Sequence, residues 1–239
     1  VLTDQGAAPA FVDDLPAMAA LAARAHAWAA VANGAAPGLP ARARTGPTLL
    51  TVGRIAAYKG LDVLALAVAG LVDAGRPLRW TAVGPDQTGG RFRRFLTRLG
   101  LEKRVRLTGR LPAGRVRALM ASCQVFVQPS RAEGQPLALL EAMAAGAPCV
   151  AADIAGCREA LGRAGSLARP GDFRALGRAV GTLLDDPALR RRKGAAARRR
   201  SRRFLWPAVA ARWERVYSAQ SHLDSGAESA YTWPRCATR

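Results

Sequence analysis

The sequence predicts an α/β fold: a doubly wound, Rossmann-like parallel sheet with helices on both faces. Three observations lead there. From Pro47 onward, short apolar runs alternate with helical patterns of ten or more residues. The runs are uninterrupted instead of alternating with polar residues, as strands covered on both faces require. Glycines and charged residues follow one run after another, at the carboxyl ends where such sheets bind ligands.

The elements follow in order. Asp14–Val31 reads as a helix with Asp13 or Asp14 as its N-cap, and Asn33-Gly34 closes it. Pro37, Pro40 and Pro47 mark a loop, so residues 1–46 are a helix and linker outside the α/β rhythm. Thr48–Val52, Leu78–Val83, Val105–Leu107, Val125–Val127 and Cys149–Ala151 read as strands. Leu61–Ala74, Gly90–Leu99, Ala113–Ala121, Pro136–Ala145, Asp172–Leu184 and Ala188–Arg202 read as helices. Residues 47–220 form the expected domain, and residues 221–239 a polar tail without pattern.

Composition bounds the function. The chain has 239 residues, half of them hydrophobic, which suffices for a packed core. No window reaches the roughly 18 uncharged apolar residues of a membrane span. Pro16–Ala32 comes closest, but Arg24 and His26 interrupt it and no cleavable signal surrounds it. A cytoplasmic protein is therefore expected. Cys123, Cys149, Cys157 and Cys236 lack CxxC spacing, so reduced thiols are expected and no metal site. His26 and His222 support neither a Ser–His–Asp arrangement nor HExxH. The formal charge of +19 suggests anionic partners: a nucleotide diphosphate, acidic lipid or nucleic acid. The surplus is nearly all arginine, since only Lys59, Lys103 and Lys193 are lysines. Such a skew also fits a GC-rich genome.

The unusual residues gather at one sheet edge. Gly53-Arg54 and then Lys59-Gly60 follow the first strand, and Gly84-Pro85-Asp86 the second. Thr108-Gly109-Arg110 follow the third, Pro129–Gly134 the fourth, Asp153 and Gly156 the fifth. Arg54 and Lys59 flank a loop entering a helix N-terminus, a natural diphosphate site; two solvated surface charges are the plainer alternative. Glu133 lies in a loop and Glu141 inside an apolar helix, among Leu137, Leu140 and Ala144. A carboxylate at 141 could accept from both hydroxyls of a ribose, and one at 133 could meet a sugar hydroxyl. Loop amides near Gln135 and Leu137 face phosphates or sugar in that reading. A structural Glu141 that caps or salt-bridges within the fold is the alternative.

These residues resemble the GT-B glycosyltransferases of family 4, which are retaining enzymes. The matching stretches are Asn33-Gly34, VGRIAAYKG (52–60), VGP (83–85), LTGRLP (107–112), VQPSRAEGQPLALLEAMAAGAPCVAADIAGCREAL (127–161), RPGD (169–172) and LLDDP (183–187). FLWP (204–207) with Tyr217 is similar to the family's final helix. The resemblance implies the C-terminal, donor-binding half of a GT-B fold. It implies that Arg54 and Lys59 hold the donor diphosphate, Glu141 the ribose and Glu133 the transferred sugar. Gly53, Gly84, Gly134, Gln135, Pro136 and Leu137 would line the donor site, with backbone near Arg110 and Leu111 meeting the base. Gln135-Pro136 replaces the more usual Phe-Gly, and proline removes one amide donor. GQPL with the later GCRE resembles the branch of the Pel exopolysaccharide glycosyltransferase. No DxD motif occurs, and such enzymes bind their donors without metal or cofactor.

The expected substrates are a UDP- or GDP-sugar and an acceptor saccharide or lipid-linked glycan. About 46 residues precede the donor domain, too few for an acceptor domain. Either the chain is a fragment, or a partner chain supplies that half; a non-catalytic sugar-nucleotide-binding half is the competing reading. Trp206, Trp213 and Tyr217, at the final helix Ala208–Tyr217, are expected to be partly exposed. Arg190–Arg203 holds eight arginines and Lys193. A solvated helix is the first reading of that run, and attraction to acidic lipid at the inner membrane face the second. Nucleic acid ranks third, because no reader motif accompanies the charge.

Overall fold

Leu49 and Leu50 are fully buried and Thr51 nearly so, which places the strand Leu49–Val52 (β1) inside the sheet. Thr51 survives there because its hydroxyl accepts from Trp80 Nε1 at 3.0 Å. The computed structural model describes residues 48–212. The expectations for the helix at 14–31, Asn33-Gly34, Trp213, Tyr217, His26, His222, Cys236 and the tail at 221–239 lie outside that range.

Five further strands follow: Trp80–Val83 (β2), Val105–Leu107 (β3), Val125–Gln128 (β4), Cys149–Ala152 (β5) and Ser166–Ala168 (β6). All pair in parallel, in the order β3-β2-β1-β4-β5-β6. Leu49 sits opposite Trp80 on one side and Val125 on the other. The chain therefore builds outward from β1 to β3, then returns to lay β4 against β1 and builds the other way. The strand order reverses between β1 and β4, and a crevice opens there at the carboxyl ends.

Among the described residues seven α-helices flank the sheet, the first five between strands and the last two after β6: Leu61–Asp73 (α1), Arg91–Arg98 (α2), Ala113–Ser122 (α3), Leu137–Ala144 (α4), Ala155–Leu161 (α5), Phe173–Asp185 (α6) and Pro187–Ser201 (α7). One face buries Leu49, Trp80, Val125, Val127 and Val150 under α1, α2 and α6. Alternate residues of the same strands, such as Leu50, Phe126 and Ala151, are buried as well, and α3, α4, α5 and α7 pack among themselves and against β1, β4 and β5. Two-sided burial is why the strands read as unbroken apolar runs. The edge strands depart, β3 with Arg106 exposed in its middle and β6 with Ser166 and Leu167 half-buried, as unpaired edges favour.

The sequence reading missed β6 and α5. Both are short, at three and seven residues, and Gly162 and Gly165 separate them, so neither shows a period. Helix starts shift by one residue where aspartates cap. Asp172 accepts from the Ala175 amide at 2.8 Å and Asp186 from the Leu189 amide at 2.8 Å, with Pro187 in the first turn of α7.

The basic run is more than a solvated face. Arg190 donates to the carbonyls of Leu183 and Leu184 at the end of α6, both at 3.0 Å. Arg200 does the same for Glu159 and Ala160 near the end of α5, both at 2.6 Å, and Lys193 binds the carbonyls of Arg163 and Gly165. Cations there complete helix ends whose carbonyls lack partners. Arg191, Arg192, Arg198, Arg199 and Arg202 remain exposed. Trp206 is 56% exposed, in line with the expectation for that residue.

Candidate functional site

The exits of β1 and β4 meet at the point of strand reversal. After β1 the chain passes Gly53 and Arg54, tightens into a 3-10 turn over Ala57–Lys59 and enters α1. Gly60 joins turn to helix with φ +64°, and a Cβ there would stand 2.1 Å from the carbonyl oxygen of Pro129, just past β4. Only glycine permits that approach. The neighbouring β2 exit is equally close: a Cβ on Gly84 would meet the Gly53 carbonyl oxygen at 2.0 Å. Gly84 also donates to the Gly109 carbonyl at 2.9 Å, tying in the β3 exit. Small residues at 53, 60 and 84 thus let three loops converge.

Lys59 and Glu133, 74 positions apart, form an ion pair of 2.7 Å. Their side chains are only 16% and 10% exposed, so the pair is held largely away from water. Ser130 Oγ donates to the same Glu133 oxygen at 2.7 Å and Gln128 Nε2 at 2.8 Å. Gln128 also donates to Ser130 Oγ at 2.9 Å. Three donors therefore converge on Oε1, and no donor among the described residues meets Oε2. Charge-assisted bonds of this kind set one carboxylate oxygen firmly and leave the other to accept from a ligand. Gln128 and Ser130 are buried and were not singled out from sequence; a glutamine ending an otherwise apolar strand was the available signal.

Arg54 is exposed, and its guanidinium carbon lies 5.8 Å from the Tyr58 ring centroid. Lys59 Nζ lies 5.1 Å from the same centroid. Both cations thus sit within cation–π range of one ring. A small cleft between the β1 and β4 exits is lined by Gly53, Arg54, Lys59, Gln128, Pro129 and Ser130.

Gly134, Gln135, Pro136 and Leu137 continue from Glu133 into α4. Pro136 has φ −80° and ψ 78°, and the Leu137 amide donates across it to the Gln135 carbonyl at 3.0 Å. That is an inverse γ-turn. The Leu137 amide, expected to face a phosphate, is engaged by it, and Pro136 has none to offer. Leu137 itself is 45% exposed. On the other side of the loop, a Cβ on Gly156 in α5 would lie 2.6 Å from the Gly134 carbonyl oxygen. Beneath lies Cys157, whose thiol is pushed up to about 12 by burial and by the charges of Glu133 and Asp153, against Lys59.

Glu141 is half-buried in the second turn of α4. Its carboxylate makes no hydrogen bond or ion pair within 4 Å among the described residues. The capping or salt-bridging alternative is therefore not what the structure contains. Burial raises its pKa above the usual carboxylate value, partly opposed by the charge of Arg117. A carboxylate kept partly dry without a partner gains most from hydroxyl donors of a ligand. Arg110 is exposed and Leu111 half-buried beyond β3, two strands from β1. The structure thus joins Lys59 to Glu133 directly, sets Gly53, Gly84 and Arg54 beside them, and leaves Arg110 and Leu111 at the sheet's edge. Among the described residues no three His, Cys, Asp or Glu side chains cluster as metal ligands.

A six-stranded parallel Rossmann-like sheet with flanking helices is the architecture of a GT-B glycosyltransferase domain. The chain belongs to the family Glycosyl transferases group 1, whose sequence profile matches residues 46–186. It is 35% identical over 175 residues to a D-inositol 3-phosphate glycosyltransferase of Corynebacterium glutamicum, covering 70% of this chain and 42% of that one. It therefore spans less than half the length of that relative. The sucrose-phosphate synthase of Thermosynechococcus elongatus superposes with a TM-score of 0.71 at 26% identity, over 81% of this chain and 52% of that one. Anabaena Alr3699/HepE in complex with UDP and glucose superposes with a TM-score of 0.63 at 25% identity, over 74% and 48%. No helix among the described residues is long and apolar enough to cross a membrane.

Proposed function

We propose that this chain carries the donor site of a retaining glycosyltransferase that moves a hexosyl group from a nucleotide-diphosphate sugar to a saccharide or lipid-linked glycan. The observation that carries the reading is the Lys59–Glu133 pair, backed by Ser130 and Gln128, at the strand-reversal crevice. In this reading Lys59 and Arg54 take the diphosphate beside the N-terminus of α1, whose dipole favours negative charge. Glu133 Oε2 accepts from a sugar hydroxyl while Oε1 stays anchored. Glu141 accepts from the ribose, and the backbone at Arg110-Leu111 borders the base. The anomeric C–O bond breaks with its electrons passing to the diphosphate, where the cations stabilise the growing charge. The sugar passes through an oxocarbenium-like state, and an acceptor hydroxyl oxygen forms the new bond to the anomeric carbon on the face the diphosphate leaves, so the configuration is kept and the hydroxyl proton passes to the departing diphosphate oxygen.

UDP is favoured by the bound UDP of the Anabaena neighbour, with GDP second. No metal or cofactor is assigned to donor binding. The γ-turn at Pro136 must open before the Leu137 amide can reach a phosphate, so side-chain cations carry more of that load than the loop amides. The exposed arginines of α7 suit peripheral contact with acidic lipid at the inner membrane face, and GQPL with GCRE resembles the Pel branch.

Calorimetry with UDP, GDP, ADP and their sugars, in wild type and Glu141→Ala, tests the proposal. Saturable binding of one nucleotide, weakened about tenfold or more by the substitution, is expected from the loss of two hydroxyl bonds to a charged group. No binding of any of them overturns it.

A further inference from the structure

Arg131 stands between the two halves of the site and touches neither a proposed ligand group nor the ion pair. Its guanidinium forks onto Asp62 in the first turn of α1, with Nη1 at 2.8 Å and Nη2 at 2.6 Å from the two carboxylate oxygens. The same Nη1 donates to the Ala57 carbonyl at 2.6 Å, and the Arg131 amide donates to the Tyr58 carbonyl at 2.8 Å. Four hydrogen bonds therefore run from one residue of the β4 exit to the turn that presents Lys59. They reach both ends of that turn: Ala57 and Tyr58 before Lys59, Asp62 after it.

The chain around Arg131 explains the consequence. Ser130 precedes it and donates to Glu133, two residues beyond. Tyr58, held by its carbonyl, is the residue whose ring lies near both Arg54 and Lys59. Burial raises the Asp62 carboxyl, but the hydrogen bonds and charge of Arg131 and two backbone amides overcome this and hold it below its usual value. With side chains 42% and 46% exposed, the pair gives little stability of its own. Its geometry is bidentate, which is where arginine supplies orientation that lysine does not.

We infer that Arg131, with Asp62, is a positioning residue that sets Lys59 and Arg54 against Glu133, so that the diphosphate contacts depend on it although it makes none itself. The inference rests on the donor-site reading for its ligand, while the strut itself is visible without one. Arg131→Ala loosens the 57–60 turn; Arg131→Lys keeps the charge but not the fork; Asp62→Asn keeps the shape and weakens the pairing.

The test uses the full chain in these three variants and Lys59→Ala, with UDP and GDP set against uridine and guanosine. Nucleoside affinity should stay within about twofold of wild type, while nucleotide diphosphate affinity falls about tenfold in Arg131→Ala, the scale of one misaligned charge-assisted bond. Adding Lys59→Ala to Arg131→Ala should then cost less than Lys59→Ala alone, because the lysine is already out of place. Arg131→Lys should not restore the loss. Equal loss of nucleoside and diphosphate binding, or full additivity with Lys59→Ala, overturns the inference. Hydrogen exchange at the Lys59 and Gly60 amides, bonded to the Ala56 and Ala57 carbonyls, reads the strut without ligand. Faster exchange there in both Arg131→Ala and Asp62→Asn supports it, and unchanged exchange overturns it. A wild type that binds no nucleotide sinks the donor-site reading and leaves this exchange result to decide the strut.

Discussion

Replacing Gly60 by alanine probes the contact on which the site is assembled. An added Cβ would stand 2.1 Å from the Pro129 carbonyl oxygen and 3.0 Å from its carbon, with φ at +64°. Both neighbours are backbone, so no rotamer change relieves the overlap. Restoring an ordinary contact requires the β4 exit and the N-terminus of α1 to part by about 1 Å. A left-handed non-glycine residue costs about 1–2 kcal/mol and forced repacking about 1–3 kcal/mol, for a loss of about 2–5 kcal/mol. Two other glycines separate these contributions. Gly75 has φ +79° but nothing within 4 Å of a Cβ, so Gly75→Ala should lose only the backbone part, about 1–2 kcal/mol. Gly70 is exposed in the middle of α1, again with nothing within 4 Å, so Gly70→Ala should gain about 0.5–1 kcal/mol. Urea unfolding at constant m-value should rank the variants Gly70→Ala, wild type, Gly75→Ala, Gly60→Ala from most to least stable. If Gly60→Ala is no worse than Gly75→Ala, the loops do not meet as described and the reasoning about the site's assembly is wrong.

Glu141 gives a pH signature of definite sign. Its folded pKa is raised, so its contribution to stability is fully present below the unfolded carboxylate value and is lost as pH rises through the folded one. Glu141→Gln should therefore gain stability relative to wild type as pH rises above the ordinary carboxylate range, read from urea midpoints, and nucleotide affinity in wild type should weaken as pH falls and the carboxylate takes up its proton. Carbonyl-binding arginines should separate from exposed ones: Arg190→Ala and Arg200→Ala each lose about 1–3 kcal/mol in thermal unfolding, whereas Arg191→Ala and Arg199→Ala stay within about 0.5 kcal/mol. Cys123, Cys149 and Cys157 are buried, and the Cys157 thiol is held near 12, so none should react with a thiol reagent at pH 8 until the protein unfolds.

Much of the sheet was legible because burial on two faces writes itself as uninterrupted apolar sequence. VFVQ and CVAA carry no alternation and are buried throughout. The helices were legible to within a residue or two, since length and apolar spacing distinguish them from strands. What escaped was short or was polar in an apolar context. Ser166–Ala168 and Ala155–Leu161 offer too few residues for a period. Tyr58 and Asp62 have no local signal of a role, because each acts on a partner far along the chain; Gln128 showed only as a polar end to an apolar strand, and Arg131 only as one residue of the polar run that follows it.

From the sequence alone came the class of sheet, the edge at which its unusual residues gather, and the residue types proposed to hold a sugar nucleotide there. Local propensity and hydrophobic pattern act over a few residues, and the carboxyl-end rule converts them into a place. Only the tertiary structure decided who meets whom. It set Lys59 against Glu133 across 74 positions, placed three donors on one carboxylate oxygen, left the Glu141 carboxylate without a hydrogen-bond donor among the described residues, and turned Arg190 and Arg200 inward to helix ends. Those outcomes depend on the reversal of strand order, which brings the β1 and β4 exits together, and on glycines whose missing side chains allow backbones to touch. Contacts of that kind are set by packing over the whole sheet, and no window of sequence contains them.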